Sequence, residues 1–168
     1  MQIKAVFAMT LAAGAAFAAA PATAQSYNAS RVIGSVTLED LQAIVGDIGH
    51  EIVTTRTENA PFLAARTPDG VVYALEGRAC TEAKTDCKGI LIEAAYRGAE
   101  NVTDENIARA DRRYAAVSAS VNRERDDFRF TRYLILDDGV TMANIRANVT
   151  VFLALQPLSL EIAKGGSS

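Results

Sequence analysis

Phe128-Arg129-Phe130-Thr131-Arg132-Tyr133-Leu134-Ile135-Leu136, followed at once by Asp137-Asp138-Gly139 and Val140-Thr141-Met142, decides how this chain folds. The first run is rich in aromatic and β-branched side chains, which predicts a strand. Asp-Asp-Gly predicts a tight turn, because Asp tolerates and Gly favours a positive φ. Thr141 then offers a hydroxyl to the first free N–H groups of a helix, whose inner stripe is Met142, Ile145, Val149, Phe152 and Leu153. Pro157 is expected to break or kink that helix, leaving residues 158–163 as a last turn or two.

Upstream of this unit the period alternates between helix and strand. Thr37-Leu38-Glu39-Asp40 is a capping box, and Leu38, Leu41, Ile44, Val45 and Ile48 recur at helical spacing until Gly49. Between His50 and Tyr96 the chain reads as four short strands, Ile52–Thr55, Phe62–Ala65, Val71–Leu75 and Ile90–Tyr96. Pro68-Asp69-Gly70 supplies one turn between them. Thr103 caps a second helix with Asp104 and Glu105 near its positive end and Ile107, Ala110 and Tyr114 facing inward. Val117, Ala119 and Val121 alternate with polar residues as a further strand. The order is α-β-β-β-β-α-β-β-α. Strands joined by short turns pair antiparallel, so the fold class is α+β, one antiparallel sheet with flanking helices.

The first residues carry a different message. Met1–Lys4 hold one positive charge, Ala5–Ala20 are apolar and uncharged, and Ala22-Thr23-Ala24 ends in small residues. That pattern predicts a cleaved signal peptide over 1–24 and a periplasmic or secreted protein. The apolar stretch is mostly Ala and falls short of the ~20 residues a spanning helix needs. No later segment is apolar enough to span, so no integral membrane segment is expected after cleavage. Residues 25–36 read as a loose, flexible N-terminal arm, 37–163 as a single domain and 164–168 as a flexible tail. The mature chain, about 140 residues, is long enough for one self-sufficient core.

Composition excludes some partners. Lys and Arg number 17 against 20 Asp and Glu, a formal net charge of −3, one unit more negative once Lys4 leaves with the leader. Nucleic acid rewards clustered cations, and here cations alternate with acids, as in Arg123-Glu124-Arg125-Asp126-Asp127. Nucleic acid is therefore not an expected partner.

Cys80 and Cys87 are the only cysteines, and in an exported chain an even count reads first as a disulfide. Closing so small a loop stabilises by about 2.5 kcal/mol in the chain-entropy picture. A redox or metal pair is the alternative. The six-residue gap is too wide for a redox dithiol, and the sole histidine, His50, cannot complete a zinc set.

No catalytic constellation, cofactor motif or metal set emerges. His50 has no sequence-evident nucleophile or orienting acid, Asp126-Asp127 and Asp137-Asp138 lack the ligand spacing of a calcium loop, and Ser118-Ala119-Ser120 is no nucleophile elbow. A non-enzymatic protein with no cofactor is expected. One concentration stands out: Arg109, Arg112, Arg113, Arg123, Arg125, Arg129 and Arg132 are seven of thirteen arginines. Arg is favoured at protein interfaces, so these form a candidate partner surface, with a solvated face balanced by acids as the alternative. Arg129 and Arg132 cannot share one strand face.

Several short motifs resemble the YbjN-like family of small bacterial proteins, associated with regulation of sensory transduction. They are Leu38-Glu39-Asp40-Leu41, Tyr73-Ala74-Leu75-Glu76-Gly77-Arg78-Ala79-Cys80, Cys87-Lys88-Gly89-Ile90-Leu91-Ile92, Val102-Thr103-Asp104-Glu105-Asn106, and Phe130–Leu136 with the turn after it. The resemblance implies a type III secretion chaperone-like fold and no enzymatic activity. The family's Trp-Asn pair in the second helix is absent; Ala110-Asp111-Arg112-Arg113-Tyr114 stands there. The expected role is a chaperone-like or regulatory protein-binding module of the cell envelope, with a protein partner and self-association through a helix or sheet edge. The competing expectation is a small-molecule or lipid binder, or a cryptic enzyme, using a cavity lined by Tyr73, Tyr96, Phe130 and Tyr133.

Overall fold

The computed structural model describes residues 26–166; the predicted leader lies outside them. Three helices are laid over one six-stranded antiparallel sheet. In chain order the elements are β1 (Val32–Ile33), α1 (Leu38–Asp47), β2 (Glu51–Arg56), β3 (Phe62–Arg66), β4 (Val72–Arg78), β5 (Gly89–Arg97), a 3-10 turn, α2 (Asp104–Arg113), β6 (Ser118–Asn122), β7 (Asp127–Ile135), β8 (Val140–Thr141) and α3 (Met142–Ala163). The large sheet runs β2-β3-β4-β5-β7-β6. The predicted α+β class and order hold, with two short strands added.

The three caps form as the sequence implies. The Thr37 hydroxyl accepts from the Asp40 N–H and the Asp40 carboxylate accepts from the Thr37 N–H, while the Thr103 and Thr141 hydroxyls accept from the Asn106 and Asn144 N–H groups. Alternation along the strands sends Leu63, Ala65, Tyr73, Leu75, Ile90, Ile92, Ala94, Phe128 and Phe130 to one face. There they meet Leu41 and Ile44 of α1 and Ile145, Val149 and Phe152 of α3 in a single buried core.

Two expectations need correction. Residues 25–36 are not a loose arm where the structure describes them. Val32 and Ile33 pair with Thr141 and Val140, Val36 is buried and bridges to Cys87, and Arg31 forms an ion pair with Asp40. The small polar residues hid three anchors, Arg31, Ile33 and Val36. Nor does Pro157 break the last helix, since α3 continues through it to Ala163. Proline removes the one hydrogen bond to the Leu153 carbonyl, but Phe152, Gln156, Ser159, Ile162 and Ala163 stay buried on both sides of it and keep the helix continuous. On α2, only Ala110 of the predicted inner stripe is fully buried; Ile107 and Tyr114 pack at its margin.

The cysteine loop follows β4, and the structure brings the Cys80 and Cys87 sulfurs to disulfide distance. Cys87 is buried against β4, where a Cβ on Gly77 would meet its Sγ at 2.8 Å and its Cβ at 3.0 Å. Glycine is required there by close approach.

Candidate protein-docking face

The helices cover one side of the sheet, and its other side stays open. Along β3 and β4, and through most of β5 and β7, buried residues alternate with half-buried or exposed ones. The open side carries Phe62, Val72, Leu91, Tyr133 and Ile135 among charged residues. Val72 is 47% exposed, Tyr133 49% and Ile135 67%. The Tyr133 ring lies across Gly89, in the space a side chain on the neighbouring strand would fill. Several charges on this side are paired locally. Arg129 pairs with Glu93 at 3.2 Å and Asp127 at 3.3 Å, Arg78 with Glu76 at 3.0 Å, and Arg66 with Glu51 at 3.5 Å. The Asp127 hydrogen bond and the nearby Glu93 charge hold the Arg129 guanidinium more firmly protonated than usual. Arg56 stacks over the Phe62 ring at 3.9 Å. The result is a mixed surface on which Phe62, Leu91, Tyr133 and Ile135 stand among largely paired charges, with Val72 apart from them.

The seven arginines singled out by sequence do not converge on one surface. Arg129 lies on the open side. Arg132, three residues on, lies on the covered side, where its Nε donates to Asn148 Oδ1 at 2.8 Å and its Nη1 to the Ala116 carbonyl at 2.6 Å. Arg109 reaches the Gly166 carbonyl at 3.1 Å, and Arg123 reaches the Val102 carbonyl at 3.0 Å and Asp104 at 2.5 Å. These four tie elements of the chain together. Arg112, Arg113 and Arg125 are exposed and make no ion pair or hydrogen bond through their side chains among the described residues.

A separate cleft of about 730 Å³ opens on the helix side, between the end of α1, the β3–β4 turn and α3. Ile48, Val71, Val151, Leu153 and Pro157 form its apolar wall, with Asp69 and an Asp47–Arg146 ion pair (2.8 Å) at the rim. His50 lines it, with Nδ1 at 3.0 Å from the Tyr73 hydroxyl. Burial pushes that phenol well above the ordinary tyrosine range. None of the four aromatics expected to line a cavity lines this cleft. Tyr73 and Phe130 are buried in the core, Tyr96 stacks on Phe128, and Tyr133 stands on the open side. Among the described residues no group of three or more His, Cys, Asp or Glu is placed to hold a metal. No helix there is long and apolar enough to cross a membrane.

No family model matches the chain, and no curated protein sequence matches it. Solved structures do. YbjN from E. coli superposes with a TM-score of 0.55 at 15% identity, over 80% of this chain and 94% of YbjN. This is a YbjN-like fold. An uncharacterized protein from Methanothermobacter thermautotrophicus matches at TM-score 0.53 and 12% identity, over 77% of this chain and 98% of its own. A chain of the ExsC–ExsE complex matches at TM-score 0.53 and 12% identity, over 75% and 92%. Identities this low establish shared topology alone. The antiparallel α+β architecture expected from the sequence is the one these structures share.

Proposed function

We propose that this protein is a non-enzymatic protein-binding module, chaperone-like or regulatory, exported to the bacterial cell envelope. The observation that carries the reading is the open sheet face, six strands wide, with Val72, Tyr133 and Ile135 in solvent and most of its charges paired within the face. Large apolar side chains held in solvent on one sheet face make it a candidate interaction site. A chain of the same fold occurs in a two-protein complex, ExsC–ExsE. Export rests on the leader pattern of residues 1–24, and the Cys80–Cys87 staple fits an oxidising compartment.

A photo-crosslinker at Thr131, on the open face, should capture a discrete envelope protein in living cells, while one at Ala154, on the outside of α3, should not. Equal labelling from both positions contradicts the proposal. Export is tested by the intact mass of protein from the envelope fraction, which should begin at Gln25 and lack free thiols; full-length, reduced protein in the cytosol contradicts it.

The cleft supports a second reading, binding of a small apolar ligand, because its volume falls in the range of small-molecule sites. Native mass spectrometry of protein purified without detergent would then show a bound small molecule, lost in Leu153→Asp.

A further inference from the structure

The open face ends in an edge that the fold has deliberately left unpaired. β7 pairs with β5 along its whole length, from Gly89↔Ile135 to Arg97↔Asp127. On its other side β6 pairs only from Ser118↔Thr131 to Asn122↔Asp127. The Leu136 N–H donates to the Lys88 carbonyl at 2.9 Å, so even-numbered residues of β7 direct their backbone groups to β5. Odd-numbered residues direct theirs the other way, and those of Asp127, Arg129 and Thr131 meet β6. Tyr133 and Ile135 come next in that series, with no strand beside them. Neither backbone N–H has a hydrogen-bond acceptor among the described residues.

The interruption is built by a side chain. Continuing the β6 register would place Ala116 opposite Tyr133, its carbonyl accepting from the Tyr133 N–H. Instead the Arg132 guanidinium takes that carbonyl at 2.6 Å while Asn148 of α3 anchors its other edge. The two residues whose backbone is thereby freed are also the two most exposed large apolar residues of β7. The opposite edge of the sheet is protected differently. β2 carries a register shift between Ile52 and Thr54 and charged residues at both ends, devices that discourage strand addition.

We infer that the Tyr133–Ile135 edge accepts an extended segment of a partner protein as an additional strand, apolar at alternate positions and acidic at its end. This rests on the protein-binding reading above and names its site. Backbone groups of Tyr133 and Ile135 supply the ladder, and their side chains receive the apolar residues of the segment. The acidic character follows from charge. Arg112 and Arg113 end α2, immediately before the 114–117 segment that Arg132 draws alongside β7, and neither is ion-paired.

The test uses amide hydrogen exchange on the purified protein with the synthetic peptide acetyl-Glu-Val-Thr-Val-Thr-Val-Thr-amide as probe. Exchange at Tyr133 and Ile135 should slow by about tenfold or more at saturation, with amides of β2 unchanged. Ile135→Pro removes one outward N–H and no ladder bond, and should weaken the peptide by about tenfold at an unchanged unfolding midpoint. Should that variant fail to fold, Arg112→Glu with Arg113→Glu provides a separate reading. It should weaken the Glu-ended peptide and strengthen a Lys-ended one. No protection at millimolar peptide, equal binding of both peptides, or protection that grows with protein concentration alone would each overturn the inference. Crosslinks from Thr131 to an envelope partner would persist if only this edge assignment fails, and would vanish if the protein-binding reading itself fails.

Discussion

On one side of the sheet Phe128 and Phe130 lie beneath the helices without solvent contact; on the other, Tyr133 and Ile135 of the same strand β7 stand in water. The same β-forming chemistry thus has two outcomes, decided by which face the alternation selects. The covered face follows the rule that apolar surface is buried and provides stability. The open face departs from it, keeping large apolar residues in water beside paired charges, which is the basis of the proposed contact with a partner. Stability and recognition are separated by the pleat of a single strand.

That separation can be broken at several points. Phe130→Ala, on the covered face, should lower unfolding stability by about 3–5 kcal/mol in urea titrations, because a large side chain leaves a cavity in a sealed core. Opening the cysteine loop should cost about 2.5 kcal/mol, measured as the shift between oxidised and reduced protein, since the lost cross-link frees the denatured chain. Arg132→Ala should cost about 2 kcal/mol, because the Ala116 carbonyl and Asn148 lose a charged donor.

Smaller effects follow from pH and from the open side. The folded state holds the Tyr73 phenol protonated above its unfolded value, which lies near 10. Below that pH both states keep the proton and stability is unaffected. As pH rises above it the unfolded chain gives up a proton that the folded one retains, so stability falls. Tyr73→Phe should flatten this alkaline decline, seen in unfolding midpoints measured as pH is raised. Tyr96, raised by the same burial, contributes in the same direction. Last and smallest, Ile135→Thr on the open side should change stability by no more than about 0.5 kcal/mol while reducing crosslinking from Thr131. A large loss of stability there would show that the open face belongs to the core.

Sequence patterning reached most of the scaffold, because caps, turns and alternation are local. Thr37, Thr103 and Thr141 announce their helices, and Asp137-Asp138-Gly139 announces its turn, within a few residues of the structure they specify. The docking of Arg31, Ile33 and Val36 was hidden, since Arg31 meets Asp40 and Val36 meets Cys87 only after the chain has folded back. The continuity of α3 was hidden too, because burial of Gln156 and Ser159 around Pro157 is a tertiary fact. The arginine run pointed to a region and missed its meaning. Sequence proximity placed Arg129 and Arg132 together, whereas one neutralises the open face and the other shapes the edge beside it. The edge itself has no sequence signature. It arises from where β6 stops relative to β7, and a register across two strands is invisible in either strand alone.

The most direct test of the account is residue-resolved amide exchange along β7 in the free protein. Arg132, Leu134 and Leu136, whose N–H groups face β5, should be strongly protected, while Tyr133 and Ile135 between them exchange at nearly the rate of an open chain. Protection of all five amides alike would mean that the edge is occupied in the free molecule, and would contradict the open, docking-competent face on which the account depends.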